Sequence, residues 1–192
     1  MSALTTWINN AETALRITQA SMHGGELMAL DKAVDAVRVV ARSISSAVGG
    51  QTIFIGNGGS AATAAHMAVD WSLANMRSIA LVDGVALSSH ANDYGVEEMF
   101  VKQLELLGTR APCLLVAMSA SGRSKNIIRA AEYARSTGMG VVTFSGFDAN
   151  NDLRKLGDMN FYTPDWRGGF VQLAQFALLH AICDQQRIAD GI

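Results

Sequence analysis

The sequence predicts an α/β protein built on a doubly wound, five-stranded parallel sheet, with a helical hairpin in front of it. Two observations lead to this prediction. From residue 51 onward, apolar strand-like segments alternate with helix-like segments, which is the pattern of parallel sheets covered by crossover helices. The segments near Ile53, Leu114 and Val141 are almost continuously apolar, as expected for strands that are buried on both faces.

The first 50 residues predict a pair of helices. The apolar residues that recur there at helical spacing are Leu27, Leu30, Val34, Val37, Val40, Ala41 and Ile44. Gly24 and Gly25 separate the two helices, and Gly49-Gly50 ends the second. We expect residues 1–50 to form a helical hairpin that packs in an oligomer, and residues 51–192 to form one α/β unit.

The elements of that unit follow in order along the chain. The predicted strands are TIFIG, SIALV, PCLLVAMS, GVVTFSG and DMNFYTP. The predicted helices are SAATAAHMAVDWSLAN, EEMFVKQLELLG, SKNIIRAAEYARSTG and GGFVQLAQFALLHAICDQQRI. Ser60 and Ser124 mark helix starts because serine is a favoured N-cap residue. Gly108 and Gly138 mark helix ends.

Composition excludes several classes of protein. The chain has 192 residues and a formal net charge of −2, so binding to the phosphate backbone of nucleic acids is not expected. Cys113 and Cys183 lie in apolar segments and are interpreted as buried thiols. No signal peptide is visible and no apolar run reaches the roughly 20 residues of a membrane span, so we expect a soluble cytoplasmic protein. Charged residues are only 17% of the chain, which favours helix faces buried between subunits.

Ligands of doubly wound sheets bind beyond the carboxyl ends of the strands. This rule selects residues 56–60, 83–93 and 119–124. The sharpest signal is SASGRS, residues 119–124, between a buried strand and a helix. Such a turn directs backbone N–H groups at an anion, and three serine hydroxyls add donors. The segment predicts a phosphate site, and the alternative is a helix cap with polar loop residues.

The glycine-rich turn GNGGSA is a weaker signal. It has neither the glycine spacing of the dinucleotide-binding fingerprint nor the Gly-Lys-Ser/Thr of the P-loop. Asn57 and Ser60 could bind the polar part of a ligand. The alternative is an ordinary tight turn between a strand and a helix.

Two helices carry polar residues that could perform chemistry. His66 and Asp70 are four residues apart on one helix, and Gln172 and His180 are eight apart on the last helix. Together they could hold a divalent metal ion or transfer protons, although each could also be a packing residue. Asp93, in the turn NDYG, could hydrogen-bond a hydroxylated ligand by accepting from its hydroxyl groups.

Taken together, these segments resemble the phosphoheptose isomerases. The segments are GNGGSAATAAHMAVD, ANDYGVEE, SASGRSKNIIRAAEYARSTGM and the spacing from Gln172 to His180. Those enzymes are sugar isomerase (SIS) domain proteins with a flavodoxin-like fold, and they convert sedoheptulose 7-phosphate into D-glycero-manno-heptose 7-phosphate. The resemblance covers nearly the whole chain. It implies a homotetramer with active sites at subunit interfaces.

The resemblance also implies a role for each site residue. The positions implied for substrate binding are Asn57, Gly58, Ser60, Asp93, Ser119, Ala120, Ser121, Ser124 and Gln172. The positions implied for a possible Zn²⁺ ion are His66, Asp70, Gln172 and His180. Asp70 is the expected base and His180 the expected acid or proton shuttle in an aldose–ketose isomerisation through an enediol(ate).

The chain departs from the family pattern at several positions. Asp70 stands where the family has Glu, which shortens the side chain by about 1.5 Å. Ala120 replaces Thr, Arg123 replaces Asn, and Phe170-Val171 replaces Asp-Arg. Arg123 could add a phosphate contact or face solvent. These changes keep open the isomerisation of a different phosphosugar.

A non-catalytic role is the alternative from another class. Some SIS proteins sense phosphosugars to regulate transcription, and others associate with a replication initiator. Such relatives tend to lack the histidines and the carboxylate. Because this chain keeps His66, Asp70 and His180, the sequence favours the enzyme.

Overall fold

The computed structural model describes residues 1–108 and 112–191 and contains one mixed sheet. The strands are β1 (Gln19–Met22), β2 (Leu27–Met28), β3 (Gln51–Gly56), β4 (Ser78–Ala80), β5 (Cys113–Ser119), β6 (Gly140–Gly146) and β7 (Met159–Thr163). The helices are α1 (Ala3–Arg16), α2 (Leu30–Ser46), α3 (Gly59–Leu73), α4 (Gly84–Tyr94), α5 (Met99–Leu107), α6 (Lys125–Ser136) and α7 (Gly168–Asp190). The strand order is β2-β1-β7-β6-β5-β3-β4.

The predicted parallel sheet is confirmed. Strands β3 to β7 are parallel to one another, in the order β4-β3-β5-β6-β7, which is the flavodoxin-like arrangement. The strand order reverses between β3 and β5, where Gly56 pairs with Met118. The loops after these two strands therefore leave the sheet side by side. This is the switch point at which such folds bind ligands.

The sheet has two strands more than predicted. Helices α1 and α2 are present, but a β-hairpin joins them, and its strand β1 pairs antiparallel with β7 through Ala20 and Phe161. Gly24 and Gly25, both with φ near +90°, form the turn of this hairpin. Leu27, assigned to a helix from its spacing, lies in β2. The hairpin forms beside β7, whose backbone N–H and C=O groups pair with those of β1. This partner cannot be recognised from the sequence of the hairpin alone.

Helix α4 was not predicted, because residues 84–94 have no apolar stripe. Every residue of α4 is at least partly exposed. The helix begins after Asp83, whose Oδ1 accepts a hydrogen bond from the backbone N–H of Ala86 at 2.8 Å. The prediction of a turn at Asn92 was wrong. The helix continues to Tyr94 and ends before Gly95.

The predicted helix starts need one correction. Helix α3 begins at Gly59, and its N-cap is Gly58 with φ +54°. Ser60 is therefore a buried residue of the first turn and does not cap the helix. Ser124 occupies the N-cap position of α6 as predicted, yet its side chain makes no capping hydrogen bond.

Both faces of the sheet are covered. Phe54 packs with Trp71 of α3 and Leu179 of α7 on one face, while Ile53 packs with Phe100 of α5 on the other. Neighbouring residues of a strand point to opposite faces, so a strand covered on both sides is apolar throughout. No helix in the described part of the chain is both long enough and apolar enough to cross a bilayer.

Candidate active site

The loops after β3 and β5 are joined by a pair of amide side chains. Asn57 Nδ2 donates to Asn126 Oδ1, and Asn126 Nδ2 donates to Asn57 Oδ1, both at 2.9 Å. Asn126 lies buried in the first turn of α6 and also accepts a hydrogen bond from its neighbour Ile127. The pair holds the exposed Asn57 at the edge of the switch point. Sequence reasoning missed Asn126, although an amide directly after the serine-rich loop was the available signal.

The serine loop, residues 119–124, gathers its hydroxyl groups. Ser119 Oγ donates to Ser124 Oγ at 3.1 Å and lies 3.4 Å from Ser121 Oγ. Gly122 has φ +63°, and a Cβ at this position would overlap the carboxamide of Asn151. The loop therefore has room for glycine alone at its tightest point. Three hydroxyls beside a helix start are an arrangement that binds an anion.

The buried carboxamide of Asn151 packs against the serine loop at Gly122. Asn151 is 1% exposed, and its Nδ2 donates to Ser145 Oγ at 3.1 Å and to the carbonyl of Asp148 at 2.8 Å. These bonds hold Asn151 in the segment that follows β6, and the Leu153 N–H of that segment donates to the carbonyl of Gly122 in the serine loop at 3.1 Å. Ala120, where the resemblance implied Thr, is partly exposed beside the buried Ser119.

The second cluster lies between α3 and α7. Asp70 Oδ2 is 3.4 Å from His66 Nε2 and 3.6 Å from His180 Nδ1. The three donor atoms lie within 4.8 Å of one another. The structure thus brings His66, Asp70 and His180 together within one chain, which the sequence did not establish.

Two contacts set the register of α3 against α7 at this cluster. Trp71 Nε1 donates to the carbonyl of Leu179 at 3.1 Å, and Cys183 Sγ donates to the carbonyl of Asp70 at 3.4 Å. Burial raises the pKa of Cys183 to about 11, so at neutral pH this residue is a thiol and not a thiolate ligand. The residues before and after His180 therefore hold it beside Asp70.

A cavity of about 980 Å³ opens between α1, α3 and α7. His66 and Gln172 both line it, and the Gln172 carboxamide lies against Gly59, where an added Cβ would stand 2.6 Å from Oε1. Gln172 and His180 are separated by about 12 Å along the helix axis. The ring of Phe176 lies between them on α7, with its centroid 4.4 Å from that of His180.

The remaining residues that the sequence analysis singled out are Asp93, Phe170 and Val171. Asp93 is on the exposed last turn of α4, where it accepts a hydrogen bond from Asn92. Phe170 packs on Trp7, with ring centroids 5.4 Å apart, and also lines the cavity. Val171 is fully buried and fills the space above Gly146. Within residues 1–108 and 112–191, no hydrogen bond joins Asp93 to the serine loop or to the His66 cluster.

These observations describe a doubly wound α/β domain with a serine-rich loop at its switch point and an imidazole–carboxylate cluster between α3 and α7. Residues 15–146 match the SIS domain family. The phosphoheptose isomerase of Helicobacter pylori (strain P12) is 34% identical over 142 residues, which are 70% of this chain and 73% of that protein. The phosphoheptose isomerase of Burkholderia pseudomallei (strain 1710b) is 32% identical over 188 residues, covering 94% and 92%.

A solved structure agrees with the sequence relatives. Phosphoheptose isomerase GmhA from Neisseria gonorrhoeae superposes with a TM-score of 0.80 at 28% identity, covering 98% of this chain and 95% of that one. The chain therefore belongs to the phosphoheptose isomerases of the SIS domain family.

Proposed function

We propose that the protein isomerises sedoheptulose 7-phosphate to D-glycero-manno-heptose 7-phosphate. The observation that supports this most is the meeting of Asp70 with His66 and His180, at 3.4 and 3.6 Å. A carboxylate flanked by imidazoles can remove and return protons. The relatives named phosphoheptose isomerase favour this reaction over a non-catalytic role and over another phosphosugar.

The reaction moves hydrogen between two neighbouring carbons. In the proposed mechanism Asp70 removes the proton from the carbon next to the ketone, and the electrons of that C–H bond form the enediol(ate) double bond. His180 then delivers a proton to the former carbonyl carbon, and the hydroxyl proton of the neighbouring carbon passes to the former carbonyl oxygen, which leaves the aldose. The proton taken up by Asp70 returns to His180, so both groups are restored. Oδ2 of Asp70 faces both imidazoles, so we assign the proton removal to Oδ1.

The serine loop positions the substrate in this proposal. The phosphate would bind to the hydroxyls of Ser119, Ser121 and Ser124 and to the backbone N–H groups at the start of α6. Holding the far end of a flexible sugar in place reduces the entropy that the chemical step must otherwise lose. Asn57, Gly58 and Ser60 at the neighbouring loop are proposed to contact the sugar, as is Asp93.

The residues of the cluster fit a zinc ion. Ligand atoms about 2.1 Å from a tetrahedral Zn²⁺ lie about 3.4 Å from each other, close to the 3.4 and 3.6 Å found here. Two imidazoles and one carboxylate form a catalytic set that leaves a position open. We propose His66 Nε2, Asp70 Oδ2 and His180 Nδ1 as the ligand atoms, which would leave Asp70 Oδ1 and His180 Nε2 for the proton transfers, with Gln172 as a fourth ligand or a substrate contact. When bound, Zn²⁺ would act as a Lewis acid toward the carbonyl oxygen.

Turnover of sedoheptulose 7-phosphate tests the proposal directly. We expect the aldose product from the purified protein, a loss of at least about tenfold after treatment with a chelator, and recovery with Zn²⁺. A parallel panel of ketose phosphates measures substrate preference. A phosphosugar that raises the melting temperature without being consumed would instead indicate a sensor and contradict the enzyme.

We also propose that the protein is a homotetramer in the cytoplasm, with helices from residues 1–50 at the subunit contacts. Large apolar side chains are exposed on the surface of α1 and α3, and one of them, Trp7, lines the cavity. They are Leu4, Trp7, Ile8, Val69 and Leu73. Burying such a surface against other copies of the chain is favourable.

Light scattering in solution should give a mass of about 82 kDa, four times the 20.4 kDa of one chain. Trp7→Glu should reduce that mass, because an isolated charge is costly to bury. Glu12→Gln, at an exposed position of the same helix, is the control. A monomer mass for the unaltered protein would contradict the proposal.

A further inference from the structure

Two positive charges stand at the start of α6, where they are unexpected. Arg123 and Lys125 flank the N-cap residue Ser124, and the helix dipole disfavours cations at this end. Each is paired with an acid: Arg123 Nη2 lies 2.6 Å from Asp148 Oδ2, and Lys125 Nζ lies 2.9 Å from Glu97 Oε1. The unfavourable position raises the question of what these cations bind.

Asp148, the acid that holds Arg123, lies in the segment after β6 that packs against the serine loop. Asn151 packs against Gly122 and donates a hydrogen bond to the carbonyl of Asp148. Leu153 N–H in turn donates to the carbonyl of Gly122 at 3.1 Å. A hydrogen bond from the Asn150 N–H, and then the Arg123 guanidinium, hold the pKa of Asp148 below its usual range. An ionised carboxylate is therefore fixed beside the proposed phosphate site.

Arg123 is also tied to the hydroxyl cluster through its backbone. Its backbone N–H donates to Ser121 Oγ at 3.2 Å, so the backbone of Arg123 lies beside the hydroxyl groups of the serine loop. Those hydroxyls are neutral, whereas a sugar phosphate brings about two negative charges at neutral pH. Without a cation in between, the charge of Asp148 would repel the incoming phosphate.

The energies favour an exchange of partners. The Arg123–Asp148 pair is exposed, with side chains 63% and 34% accessible, and exposed ion pairs contribute little stability. A guanidinium on a phosphate can form two parallel charge-assisted hydrogen bonds, which are stronger. Breaking the Arg123–Asp148 ion pair therefore costs less free energy than the contact between Arg123 and the phosphate contributes.

We propose that Arg123 leaves Asp148 when substrate binds and contacts the phosphate, so that Asp148 competes with the phosphate for the guanidinium. The inference rests on the proposed function in one respect only, the binding of phosphate in the serine loop. Arg123 is then a specificity-determining residue for phosphorylated sugars. Asp148 sets how tightly they bind.

A double-mutant cycle tests the exchange, with binding of inorganic phosphate to the full-length protein measured by calorimetry at low salt. Arg123→Asn should weaken binding by about tenfold or more. Asp148→Asn should tighten it by about two- to fivefold. In the Arg123→Asn background, Asp148→Asn should tighten binding clearly less, because the guanidinium that it releases is gone and only the repulsion between Asp148 and phosphate is removed.

Lys125→Asn is the matched control, since it removes the same charge from the same helix end. It should change phosphate affinity far less than Arg123→Asn does. Equal effects of the two variants would overturn the proposal, because they would indicate general attraction without a specific contact. Asp148→Asn that tightens binding as much without Arg123 as with it would also overturn the proposal, because the cycle would then show no coupling between the two residues.

Steady-state kinetics separate this inference from the proposed reaction. Arg123→Asn should raise KM for the sugar phosphate more than it lowers kcat, as expected for a contact made in both ground and transition states. Phosphate binding that depends on Arg123 in a protein without isomerase activity would leave this inference standing and refute the reaction. Full isomerase activity with Arg123→Asn binding phosphate like the unaltered protein would do the opposite.

Discussion

Replacing Asp70 with asparagine should lower kcat by about 100-fold or more while phosphate binding stays unchanged. Asparagine has nearly the same shape, but it cannot accept the proton, and general bases contribute about 10² to 10⁴ to rate. Asp70 supplies the carboxylate that lies between His66 and His180. The measurement is kcat with sedoheptulose 7-phosphate, beside calorimetric binding of inorganic phosphate.

Two further variants make the Asp70 result interpretable. Asp184→Asn removes an exposed carboxylate one turn after His180 on α7 and should leave kcat within about twofold, since surface substitutions have small effects. Asp70→Glu keeps the charge and should retain more activity than Asp70→Asn, with a loss of up to about 100-fold from its displaced oxygens. Equal activities for Asp70→Asn and the unaltered protein would remove Asp70 from the role of base.

Gly122→Ala should weaken phosphate binding by about tenfold or more and also destabilise the protein. The added Cβ meets the carboxamide of Asn151, which is held by three hydrogen bonds from its Nδ2 and cannot move away easily. The serine loop must shift instead, and displacements of about 1 Å have large effects on bound ligands. The measurements are the dissociation constant of inorganic phosphate and the free energy of unfolding.

Gly138→Ala separates the overlap from backbone strain. Gly138 follows α6 with φ +80°, in the same left-handed region, and an added Cβ there has nothing within 4 Å. In this variant the added backbone strain should lower the free energy of unfolding by about 1–2 kcal/mol, and phosphate should bind normally. A loss of phosphate binding no greater in Gly122→Ala than in Gly138→Ala would contradict the close packing on Asn151.

Several features could be predicted because they are recorded locally in the sequence. Burial on both faces makes β3, β5 and β6 continuously apolar. Gly108 and Gly138 mark the ends of α5 and α6, and this signal does not depend on which elements the two helices pack against. The hairpin of β1 and β2 was missed for the opposite reason. Its strands are short, and the hairpin depends on the free edge of β7 as a hydrogen-bonding partner. Helix α4 was missed because its exposed surface has no apolar period.

The site divides in the same way. The local sequence is enough to predict the parallel sheet, the serine loop and the residue types of the cluster of His66, Asp70 and His180, because turn chemistry and strand burial act over a few neighbouring residues. Three contacts could be found only in the folded chain: Asp70 meets His180, Asn57 pairs with Asn126, and Arg123 is held by Asp148. Each of those contacts joins two segments that are far apart in the chain. The distance between the two side chains therefore depends on how the helices and loops that carry them pack on the sheet.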